Sequence, residues 1–103
     1  MADRNSIICQ KSTANVPAIV TSAGTAIADN PARAGWSIQN CDTDPLFVLL
    51  GSGASTSVFH YILKGGSGAD DGLGGLIAQT SGTVYTGIIT VAGTTPRFVI
   101  TEF

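Results

Sequence analysis

Residues 35–50 read GWSIQNCDTDPLFVLL. In an extended chain Trp36 and Ile38 fall on one side and Ser37 and Gln39 on the other, the period of two of a half-buried strand. Residues 41–45, CDTDP, place Asp and Pro where a tight turn uses them. Leu46–Leu50 is an unbroken apolar run, too short for a helix and suited to a buried strand. Two strands joined by so short a turn predict a hairpin over residues 35–50.

The same alternation of short apolar runs and turn residues continues in both directions. Upstream, a strand is expected within residues 18–28, closed by Asp29, Asn30 and Pro31, because the residue before proline is steered away from helix. Downstream, residues 51–57 (GSGASTS) form a small-residue loop, and residues 58–63 (VFHYIL) make the strongest strand pattern in the chain. Both of its rows are largely apolar, which predicts cover on both faces. Residues 64–75 (KGGSGADDGLGG) are a long glycine-rich loop, read as a flexible hairpin connection. Further strands are expected at Leu76–Gln79, at residues 87–92 and at residues 97–103. With glycine and β-branched residues frequent, and Glu and Lys scarce, little favours helix. The sequence therefore predicts an all-β fold: one small β-sandwich or jelly-roll-like barrel of six to eight strands. Residues 17–103 form that domain. Residues 1–16 (MADRNSIICQKSTANV) are polar apart from one apolar triple and read as an extended N-terminal arm, able to span on the order of 50 Å.

Composition narrows the function. The 103 residues carry 5 Lys and Arg against 7 Asp and Glu, a net charge of −2, and only 12% are charged while 44% are hydrophobic. Disorder needs the opposite balance. A membrane span needs about 18 or more apolar residues in a row, whereas the longest run here is Leu46–Leu50. Residues 1–10 do not read as a secretory signal. The basic residues Arg4, Lys11, Arg33, Lys64 and Arg97 are scattered, so direct nucleic-acid binding, which depends on clustered cations over phosphates, is not expected. Cys9 and Cys41 are too few for a disulfide scaffold, and with His60 they match no structural zinc spacing, so two small buried side chains are the simpler reading.

The chemistry-bearing motifs are weak. Gly65, Gly66, Gly68 and Asp70 match part of a calcium-binding glycine-aspartate nonapeptide, but the apolar eighth position is Gly72 and the motif occurs in a single copy, so calcium at Asp70 and Asp71 is not expected. The same loop lacks the order of a phosphate-binding loop, and residues 51–56 match only the first two glycines of a dinucleotide fingerprint. Asp42 and Asp44 are read as turn residues bonding their own backbone rather than as an acid–base pair. His60 has no nucleophile elbow to serve and is read as a packed or interface residue. Trp36, Tyr61 and Tyr85 could form a sugar-binding face, but the alternation around Trp36 turns it inward. No enzyme, no cofactor and no metal site is expected.

Residues 30–103 resemble small all-β virion proteins of tailed bacteriophages. The resemblance rests on Ala32, Arg33, Gly35, Ile38, Gln39 and Asn40, then on Pro45, Leu46, Val48, Gly51, Gly53, Ala54 and Ser55, on Phe59 with the following LKGG, and on the pattern from Tyr85 to Glu102. It implies a non-catalytic virion component, most similar to capsid decoration (cement) proteins that bind the outer capsid surface, often as trimers, and clamp neighbouring capsomers. The implied partners are further copies of the chain and the major capsid protein, and the implied location is the virion surface after synthesis in the host cytoplasm. Arg4, Ile7, Ile8 and Lys11 are the expected partner contacts. A tail, baseplate or adaptor protein is the alternative within the same class, and a carbohydrate-binding module the alternative outside it. A hydrolase is the weakest reading.

Overall fold

A computed structural model describes residues 19–103. Among them are seven strands and no helix: β1 (Gly24–Ile27), β2 (Trp36–Asn40), β3 (Leu46–Leu50), β4 (Tyr61–Leu63), β5 (Leu76–Gln79), β6 (Ile89–Ala92) and β7 (Phe98–Glu102). They form two sheets, one ordered β1-β6-β3-β4 and one ordered β5-β2-β7, with every pairing antiparallel. The all-β expectation and its strand number hold. The boundary at residues 16 and 17, the arm, Cys9 and the expected contacts Arg4, Ile7, Ile8 and Lys11 lie outside the described residues.

Period-two alternation places the core. Trp36, Ile38, Phe98 and Ile100 point inward from the three-stranded sheet, and Leu46, Val48, Leu63, Ile89 and Val91 from the other; together they make one buried cluster. Burying side chains of this size stabilises by about 1.5–3 kcal/mol each against leaving them exposed. Trp36 is fully buried, and its indole N–H donates to Gln79 Oε1 at 2.9 Å, so burial leaves no polar atom unpaired there. It is therefore not presented to a sugar.

The predicted hairpin over residues 35–50 does not form. β2 is the central strand of its sheet, paired on one edge with β5 and on the other with β7, so no edge remains for β3. β3 lies in the other sheet between β6 and β4. Residues 41–45 are an arch from sheet to sheet, and Asn40 builds it: its Oδ1 accepts from Asp42 N–H at 2.9 Å and its Nδ2 donates to Asp44 O at 2.8 Å. The expected self-bonding of the Asp side chains is thus replaced by an Asn40 turn, while Asp42 Oδ2 accepts from the Thr95 hydroxyl at 3.3 Å.

Two further expectations change. The strand predicted at residues 58–63 shortens to Tyr61–Leu63. Val58 is held in a turn, exchanging backbone bonds with Ser55, and His60 Nδ1 takes the Leu50 N–H at 3.0 Å, a side chain standing in for the ladder. Nor is its outer row covered, since Val58 and Ile62 are 50% and 54% exposed. Residues 64–75 are not a hairpin loop either, because β4 and β5 belong to different sheets. This loop is a second arch, stitched to the first by Gly66 N–H to Asp42 O and Asp70 N–H to Cys41 O.

Candidate interaction surface

Register decides which side chains face outward. On the three-stranded sheet these are Ser37 and Gln39 of β2, Leu76 and Ala78 opposite them on β5, and Val99 and Thr101 opposite them on β7. On the four-stranded sheet they are Phe47 and Leu49 of β3, with Ile62, Ala92 and Thr90 opposite and Thr25 beyond. None is charged. Phe47 and Phe59 stack in a tilted pair with ring centroids 5.1 Å apart, beside the exposed Ile62 on the edge strand β4. Tilted aromatic pairs of this kind are favourable beyond the area they bury. Thr90 is the covered part of this face: the segment from Gly51 to Ala54 crosses it, with Thr90 Oγ1 donating to Gly51 O at 2.7 Å and accepting from Ala54 N–H at 3.1 Å.

Charge is concentrated at one end. Asp42 and Asp44 sit in the first arch, Lys64, Asp70 and Asp71 in the second, and Arg97 just before β7, and backbone bonds tie these segments together. Three of the carboxylates there, those of Asp42, Asp70 and Asp71, are already engaged. Arg97 Nε donates to Asp70 Oδ1 at 2.7 Å while its Nη2 pairs with Asp70 Oδ2, a bidentate ion pair. Asp71 accepts from Gly68 N–H at 2.8 Å and from Leu73 N–H at 2.9 Å. The Arg97 hydrogen bonds hold the Asp70 carboxyl below its usual range, and the two backbone donors do the same for Asp71. The segment that resembled a calcium motif is therefore a self-tied loop. Its glycines serve close approach: a Cβ at Gly65 would overlap the Thr43 carbonyl, and one at Gly74 the Asn40 carbonyl.

The pH dependence of this tie follows in sign. A carboxyl whose folded pKa is depressed adds stability above its unfolded pKa and loses it as pH falls through the folded value. The difference in urea midpoint between the native protein and Asp70→Asn is expected to be present at neutral pH. It should close as pH drops below the ordinary carboxylate range and through the lowered pKa of Asp70. Asparagine is the right probe because Asp70 has φ +59°, a left-handed conformation Asn also tolerates. A difference independent of pH would mean that the ion pair contributes nothing.

Two other groups are accounted for by packing. Burial, and secondarily the Asp70 charge, push the Cys41 thiol up, with Arg97 acting in the opposite sense, so little reactive thiolate forms at neutral pH. Arg33 is buried, with a side chain 0% exposed. It donates to Glu102 Oε1 at 2.8 Å, Tyr85 O at 3.0 Å, Gly87 O at 2.9 Å and Ala28 O at 2.7 Å. The structural roles of Arg33 and Asn40 were not drawn from sequence; the available signal was an isolated Arg among small residues before Trp36, and an Asn closing a strand. Several residues of the virion-protein pattern, Arg33, Gly35, Ile38, Asn40, Leu46 and Val48, are among the most buried in the chain.

No helix among the described residues is long and apolar enough to cross a membrane. Comparison with protein-family models, with curated proteins and with solved structures gives no match.

Proposed function

We propose that this chain is a non-catalytic structural protein of a tailed-bacteriophage virion, best read as a capsid decoration protein. In this reading its two sheets form a jelly-roll-like β-sandwich that assembles as a homotrimer on the outer capsid surface. The observation that carries it is the outward face of each sheet, uncharged throughout and bearing the Phe47–Phe59–Ile62 cluster on one side. Such faces pack against other chains without stripping water from ions, which is the costly part of burying a polar surface. A specific contact of this kind buries about 800 Å² per partner. Weak contacts repeated over a lattice then add through multivalency. Arg4, Ile7, Ile8 and Lys11 remain the proposed capsid contacts.

Two measurements test this. Light scattering on the purified protein should give the mass of a trimer, and Ile62→Lys, which puts a charge on the exposed apolar cluster, should shift it toward monomer while leaving the fold intact. Purified particles should contain the chain at a copy number comparable with the major capsid protein. A copy number matching one tail ring would reassign it to the tail, and a monomer absent from particles would refute the proposal.

A further inference from the structure

Between β3 and β4 the chain leaves the sheet, and residues 51–59 make an excursion that is tied down at three places. Near its start, Thr90 Oγ1 donates to Gly51 O at 2.7 Å and accepts from Ala54 N–H at 3.1 Å. Ser55 closes the tip: its N–H donates to Val58 O at 3.0 Å, and its Oγ accepts from Ser57 N–H at 3.2 Å and from Val58 N–H at 3.0 Å. The third tie is the neck, where the chain rejoins the sheet. There His60 N–H donates to Val48 O at 2.8 Å, and His60 Nδ1 accepts from Leu50 N–H at 3.0 Å. The residue just before this neck is Phe59, whose ring centroid lies 5.1 Å from that of Phe47. The first two ties use hydroxyls and backbone groups, which keep their hydrogen-bonding character across the ordinary pH range. The imidazole does not. Nδ1 accepts only while it is unprotonated, so the Leu50 bond assigns neutral His60 to the Nε2–H tautomer. An imidazolium carries N–H on both ring nitrogens, and a second donor then faces Leu50 N–H.

We infer that His60 is a pH-sensitive latch on this excursion: the neutral ring holds Phe59 against Phe47, and the protonated ring releases the neck. The sign follows from the bond. The latch is closed above the range in which imidazole changes charge, about pH 5–8, and opens as pH falls through it. The β3–β4 ladder ends at the pair Val48–Tyr61, so beyond it the Leu50 N–H is served by a side chain rather than by the ladder. Among the described residues, the segments that meet His60 bring little charge to it. Tyr61 is the neighbouring titratable group, with ring centroids 6.3 Å apart, while β3, β6 and residues 51–59 contain no Asp, Glu, Lys or Arg. Lys64 follows the far end of β4. Release is confined to the neck, because the Thr90 and Ser55 ties do not titrate. One consequence rests on the virion reading: the Phe47–Phe59–Ile62 cluster is the proposed contact face, so opening the latch weakens association in mild acid while the core stays folded.

Nuclear magnetic resonance on the full-length protein tests the latch at about pH 8 and about pH 5, either side of the imidazole range. At the higher pH the His60 ring should carry its proton on Nε2, with a coupling across the hydrogen bond from Leu50 N to Nδ1. At the lower pH that coupling should vanish and the Phe47–Phe59 ring contacts should weaken. The protection factor of the Leu50 amide should fall at least about tenfold, while that of the Ala54 amide, bound to Thr90, holds. His60→Asn places an amide oxygen near the position of Nδ1 and does not titrate, so it should keep the Leu50 protection and the ring contacts unchanged between the two pH values. An Nδ1–H tautomer at the higher pH, equal Leu50 protection at both, or an equal loss at Ala54 overturns the proposal. So does a pH response in His60→Asn as large as the native one. Mass by light scattering is read separately at the same two pH values. A monomer at both, with the local changes present, fails the virion reading and upholds the latch; a trimer at both, with those changes present, overturns the link to association.

Discussion

Arg33→Ala is expected to lower the free energy of unfolding by about 3–5 kcal/mol, the range for breaking a buried ion pair from one side. The guanidinium has no exposed surface and joins three chain segments: Ala28 after β1, Tyr85 and Gly87 before β6, and Glu102 in β7. Truncation leaves a carboxylate and three carbonyls facing the space it filled. Arg33→Lys should recover only a minor part, because one ammonium cannot span acceptors arranged around a planar fork. Glu102→Gln should cost less than Arg33→Ala, since an amide oxygen can still accept from Nε. Urea unfolding with an unchanged m-value measures all three. An Arg33→Ala midpoint within error of the native one would show that the buried network contributes nothing net.

The second large effect is expected at Asn40, 1% exposed at the end of β2. Its Nδ2 reaches the carbonyls of Asp44 at 2.8 Å, Leu63 at 3.0 Å and Lys64 at 3.1 Å, and its Oδ1 receives Asp42 N–H. One side chain thus ties both arches to the core. Asn40→Ala should cost about 2–4 kcal/mol, because the buried Leu63 carbonyl and the part-buried groups of Asp42, Asp44 and Lys64 lose their partner. Asn40→Asp is nearly isosteric yet should cost more at neutral pH, since it sets a carboxylate against three carbonyl oxygens. Equal stability of Asn40→Asp and the native protein would remove Asn40 from this role.

Both residues lie where sequence reasoning was least informative. Leu46–Leu50 and Leu76–Gln79 were delimited correctly because apolar runs and alternation are local signals. The inward placing of Trp36, Ile38, Phe98 and Ile100 follows from the same period of two. The sheet partner of β2 was misassigned because a short turn between two strands fits a hairpin and an arch equally well. Only the competition of β5 and β7 for its edges decides between them. Residues 58–63 lost half their strand to two side chains, Ser55 and His60, whose bonds with the backbone carry no periodic signature.

For the interaction surface the division is similar. Scarcity of charge was visible in composition, and so was the absence of a basic cluster. That the described strands carry a single charged residue, Glu102, and that it pairs with buried Arg33, emerges only from register and contact.

The order of residues alone determined that this chain builds sheets and which side chains turn inward, because extended backbone alternates its faces whatever lies around it. The tertiary structure alone decided which strands meet, which loops are arches and which polar groups are consumed in holding them. Those outcomes depend on edges and buried atoms contributed by segments far apart in the chain.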